Sequence, residues 1–147
     1  MSGKLGFRNP FYLFFFVRGL LISSDRRARI DGIGRYFASL PSDPGHPEAV
    51  DVLALQELWM ADDYSRLKIA LSSAFPYSHY FKSGVVGSGL AVFSRWPIEE
   101  VWWHVYTIQG RPERIFDGDW YAGKGIGACR IKHPVAGTID VFDTHVN

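Results

Sequence analysis

Glu57 stands where an ionised side chain is hard to accommodate. With Gln56 it ends Val52-Leu53-Ala54-Leu55, an apolar run of the kind that forms a strand buried on both faces of a sheet. A carboxylate at the point where such a strand stops is costly to desolvate unless it is paired or holds a cation. The carboxyl ends of strands in open sheets are also where ligands bind. His145, in Asp143-Thr144-His145, ends the last apolar segment in a parallel way. An imidazole beside a carboxylate suits phosphoryl chemistry, whereas a histidine alone at a strand end is simply solvated.

A second group of reactive side chains lies between residues 110 and 125. This stretch holds Arg111, Glu113, Arg114, Asp117, Asp119 and Lys124 among glycines and aromatics. A loop that long in a compact domain is usually functional. Asp119 and Lys124 can pair in one state and part in another, or form an ordinary surface ion pair that contributes little. Gly84-Val85-Val86-Gly87-Ser88-Gly89 looks like a phosphate loop, but it lacks the lysine and precedes a strand. A tight hairpin that uses glycine's backbone freedom is the better reading.

The elements that must position these residues follow from periodicity. A buried first strand is expected near residues 11–17, despite the aromatic cluster Phe14-Phe15-Phe16. Ser24 is placed to cap a helix over residues 25–40, with Ile30, Ile33, Phe37 and Leu40 on one face and Arg26, Arg27, Arg29 and Arg35 mostly elsewhere on a solvated one. Prolines make residues 41–48 a loop. A second helix over residues 62–75 turns Tyr64, Leu67, Leu71 and Phe75 inward. Strands are expected over residues 77–82, 90–93, 101–108, 125–132 and 138–144, the first two as a hairpin. Adjacent Trp102 and Trp103 would face opposite sides of their strand. The order of elements predicts an α+β, layered α/β sandwich.

Composition narrows the function. Apolar residues make up 47% and charged residues 21%, and the formal net charge is +1, so no basic surplus argues for a nucleic-acid partner. Cys129 is the single cysteine, which excludes a disulfide framework and favours a reducing compartment. The apolar start is interrupted by Arg18 and Gly19, short of the roughly 20 residues a membrane-spanning helix needs. Lys4 and Arg8 can form the basic start of a signal peptide, but no small-residue cleavage site follows. The chain closes directly after a strand, leaving a sheet edge open, and is expected to be part of a domain.

Four segments, DVLALQELW, GSGLAVFSRWPI, GRPERIFDGDWYAGKGIG and VFDTHVN, occur in this order. They resemble the neutral sphingomyelinases and inositol phosphosphingolipid phospholipases C of the DNase-I-like endonuclease/exonuclease/phosphatase superfamily. The resemblance covers residues 24–147, and the Asp-x-x-x-x-Lys spacing of the loop marks the sphingolipid branch. It implies the N-terminal half of a DNase-I-like four-layer sandwich, with residues 24–147 a partial catalytic domain and residues 1–23 a diverged or mis-assigned segment. It further implies a phospholipase C-type phosphodiesterase that releases ceramide from a sphingolipid at a membrane surface, inside the cell and without a nucleic-acid partner. Glu57 would be the ligand of a catalytic Mg²⁺, supported by Gln56. Asp119 and Lys124 would be the family's aspartate–lysine switch, and His145 would contact the phosphate. Phe16-Val17-Arg18-Gly19 stands where the family has Asn-x-Trp-Gly. The family's general-base histidine belongs to its second half, so this chain by itself is expected to be nearly inactive.

Overall fold

The computed structural model describes the backbone of residues 12–16 and, in full, residues 25–43, 46, 48–83, 87–107 and 125–145. Its elements are β1 (Tyr12–Phe16), α1 (Arg26–Ala38), β2 (Val52–Gln56), α2 (Ala61–Leu71), β3 (Tyr77–Phe81), β4 (Leu90–Ser94), β5 (Ile98–Val105), β6 (Gly125–His133) and β7 (Gly137–Thr144). They form two sheets. One has the order β1-β2-β4-β3, with β1 and β2 parallel and the other pairs antiparallel. The other is an antiparallel meander, β5-β6-β7.

Buried β2 organises both cores. Leu53 and Leu55 pack with Ile30 and Phe37 of α1 and Leu67 and Leu71 of α2 on one side. Val52 and Ala54 pack on the other with Val92 of β4, Cys129 and Ile131 of β6, and Val141 of β7. The period of two along a strand thus divides one short segment between two layers of apolar contact. The described residues form helices, sheet and sheet in succession, an α+β sandwich.

Several boundaries differ from the sequence expectation. The β5 strand runs from Ile98 to Val105 rather than over residues 101–108. Pro97 therefore stops β4 without delaying the next strand: its carbonyl accepts from the Lys132 amide at 3.0 Å, and a register irregularity between Ile98 and Glu100 absorbs the mismatch. The α1 helix starts after Asp25, whose side chain makes no capping bond, and Ser24 lies outside the described residues. The α2 helix ends at Leu71 rather than Phe75, yet Phe75 stays buried because its amide still bonds the Leu71 carbonyl at 2.7 Å. The two tryptophans do face opposite ways. Trp103 packs on Phe81 at 5.8 Å between ring centroids, while exposed Trp102 lies under the Arg130 guanidinium.

The two sheets meet closely at Gly127. A Cβ there would lie 2.6 Å from the Phe81 ring, itself fully buried. Gly127→Ala is therefore expected to overpack the interface and destabilise the fold by about 1–3 kcal/mol. Urea unfolding measures this, and an unchanged midpoint would show that the sheets can part without loss.

Candidate active site

The carboxyl ends of β2 and β7 converge although 87 residues separate Gln56 from Asp143. Buried Gln56 donates from Nε2 to Asp143 Oδ1 at 2.6 Å. One residue further along, Glu57 Oε1 lies 3.4 Å from His145 Nε2, with His145 buried and Glu57 only 14% exposed at its side chain. Thr144, between Asp143 and His145, shares a 2.7 Å hydrogen bond with the Tyr106 hydroxyl and also donates to the Gly125 carbonyl at 3.1 Å. The last β7 residues are thereby held to the start of β6 and to the segment that follows β5.

Glu57 has a φ of +60°, the only positive value among the described non-glycine residues. A glutamate in the left-handed region is unusual, and such conformations persist where surrounding structure imposes them, often at functional sites. Its consequence is directional. Odd-numbered side chains of β2 point to the helices and even-numbered ones to the second sheet. Regular continuation would turn Glu57 toward the helices, but the left-handed residue brings its carboxylate to His145 on the second-sheet side.

Asp143 is fully buried, with Oδ1 bonded to Gln56 and Oδ2 without a hydrogen-bond partner. Burial pushes its carboxyl up from 3.8 to about 7, against the smaller opposing effect of the Gln56 amide. Nearby Cys129 is raised to about 12, chiefly by burial and secondarily by Asp143, so its thiol is an inert core group.

Of the four site residues expected from sequence, Glu57 and His145 come together, while Asp119 and Lys124 lie outside the described residues. The Gln56 amide, expected to support Glu57, donates to Asp143. Asp143 was missed by the sequence reading. Its signal was available: it shares the period-two face of β7 with buried Val141 and His145, and a carboxylate in phase with core residues needs a partner.

Among the described residues, no group of three or more histidine, cysteine, aspartate or glutamate side chains is placed to enclose a metal. A single carboxylate suits one cation well. Mg²⁺ keeps several waters and binds through one or two protein carboxylates plus substrate phosphate. The Glu57 carboxylate, not fully buried and beside His145, fits that requirement better than a caged site.

Residues 17–144 match the Endonuclease/Exonuclease/phosphatase family. The chain belongs to it. Within the family it is similar to sphingomyelin phosphodiesterase 2 of Rattus norvegicus, 42% identical over 100 residues that make up 68% of this chain and 24% of that protein. Solved structures share the fold. Sphingomyelinase C from Streptomyces griseocarneus superposes with a TM-score of 0.64 at 20% identity, over 92% of this chain and 48% of that one. Beta toxin from Staphylococcus aureus, solved with bound magnesium ions, gives 0.52 at 22% identity, over 77% and 42%. The chain thus spans about a quarter of the curated relative and less than half of each of these two solved chains.

Proposed function

We propose that this chain forms part of a Mg²⁺-dependent sphingolipid phosphodiesterase of the phospholipase C type. Such an enzyme cleaves sphingomyelin or an inositol phosphosphingolipid into ceramide and a phosphorylated head group. The observation that carries the reading is the approach of Glu57 to His145 at 3.4 Å, from strand ends far apart in sequence. The similarity to the rat sphingomyelin phosphodiesterase supports the substrate class.

Glu57 is the residue to hold Mg²⁺, which when bound would polarise the phosphoryl group and stabilise the leaving alkoxide. His145 would donate to a phosphate oxygen from the second-sheet side, and Gln56 and Asp143 would keep the two strand ends in register beneath it. Asp119 and Lys124 are proposed as the pair whose engagement accompanies the active state. Residues 24–147 would be the catalytic part, and residues 1–23 a diverged or mis-assigned segment. A lipid substrate requires contact with a membrane surface; among the described residues no helix is long and apolar enough to cross one. The lone buried cysteine supports an intracellular setting.

The test is a chimera. Residues of the rat enzyme that match this chain are replaced by this chain's own, and Mg²⁺-dependent release of phosphocholine from sphingomyelin is measured. Turnover above an EDTA control is expected. The 147-residue chain alone, without the general base expected from the family's second half, should turn over roughly 10²–10⁴-fold more slowly than the chimera. A folded chimera that cleaves DNA and leaves sphingomyelin intact would sink the proposal in favour of a nuclease.

A further inference from the structure

The turn of Glu57 toward the second sheet has an identifiable source in the β3–β4 connection and the end of β3. Continuing the β2–β4 register from Leu55↔Ala91 would set Glu57 opposite Gly89. The bond made instead joins the Leu58 amide to the Gly89 carbonyl at 2.8 Å. The ladder is therefore offset by one residue at Glu57, which is how a bulge re-aims a side chain.

Three contacts hold that offset. Gly89 has a φ of +71°, and a Cβ on it would lie 3.1 Å from the Trp59 ring, so the indole packs directly against glycine backbone. The Tyr80 hydroxyl donates to the Trp59 carbonyl at 3.0 Å. The Tyr80 ring stacks on Tyr64 of α2, with centroids 5.0 Å apart, so the donor is braced by the helix that residues 57–60 lead into.

We propose that Gly89 and Tyr80 form a latch on residues 57–60 that imposes the left-handed Glu57 and aims its carboxylate at the cation. Both are positioning residues, and the inference rests on Glu57 being the cation ligand. Neither touches the reacting groups. Gly89 acts by admitting the Trp59 ring and presenting its carbonyl, and Tyr80 by fixing the peptide that follows.

Tyr80→Phe keeps the stacked ring and removes only the hydroxyl, while Gly89→Ala removes the space for Trp59. Two readouts are taken on the full chain: hydrogen exchange of the residue 58–60 amides without metal, and Mn²⁺ affinity by electron paramagnetic resonance. Tyr80→Phe is expected to speed local exchange about 3- to 10-fold, the effect of one lost hydrogen bond, and to weaken Mn²⁺ binding by a similar factor. Gly89→Ala, if it folds, should exceed both. A purely structural role would lower the melting temperature with Mn²⁺ affinity unchanged. The latch is overturned if Tyr80→Phe keeps wild-type exchange and affinity while Glu57→Gln loses Mn²⁺. If Glu57→Gln binds Mn²⁺ as wild type does, the metal role of Glu57 fails instead, and the exchange rates alone decide whether Tyr80 and Gly89 hold the segment.

Discussion

Glu57→Gln is expected to weaken Mg²⁺ binding by more than about 100-fold, a larger loss than removal of an outer partner of a metal ligand causes. In the sphingomyelinase chimera it should lower turnover by roughly 10³-fold, because Lewis-acid stabilisation contributes several kcal/mol to the transition state. The substitution keeps the size of the side chain and does not change the backbone, so the left-handed conformation and the Leu58–Gly89 bond are retained. Melting in EDTA should consequently stay within a few degrees of wild type. The increase in melting temperature expected on adding Mg²⁺ to wild type should vanish. Metal titration followed by differential scanning calorimetry reads both quantities. A variant that still gains stability with Mg²⁺ would move the cation away from Glu57.

Asp143→Asn is expected to alter the pH dependence of stability. The Asp143 carboxyl has a value of about 7 in the fold against an ordinary 3.8. Between those values the folded protein retains a proton that the unfolded chain releases. Stability from this group is therefore present at low pH, falls as pH rises from about 4 to about 7, and is flat above that. The full loss is bounded at on the order of 4 kcal/mol. Asparagine keeps an oxygen to accept from Gln56 Nε2 and removes the ionisation. The difference in unfolding free energy between wild type and Asp143→Asn, measured in EDTA across pH 4–8, should shift steadily in favour of the variant. A difference that does not change with pH would show that Asp143 is ionised in the fold like any surface carboxylate.

Much of the architecture was legible because it depends on local pattern. The inward faces of both helices, the hairpin of β3 and β4, and the final strands all follow from apolar periodicity that tertiary contacts merely complete. The errors fell at ends. Pro97 reads as a break, but the pairing of β5 with β6 extends the strand back to Ile98. Residues 72–75 read as helix because Phe75 is in phase, whereas a turn bond at Leu71 buries it as well. Asp143 is not legible as a site residue from its own type, since a carboxylate in a strand usually faces solvent, yet it shares a buried face with His145.

The candidate site divides along the same line. Sequence by itself determined that Glu57 ends a core strand, that His145 ends another, and which family motifs surround them, since residue type and strand period are local properties. Only the tertiary structure decided that these ends meet, that Gln56 serves Asp143, and that Glu57 turns away from the helices. That turn comes from the β3–β4 connection and β3, through the Gly89 carbonyl and the Tyr80 hydroxyl. A side chain's direction after a break in a strand is set by whatever grips the next peptide, and here that grip comes from residues more than twenty positions further along the chain.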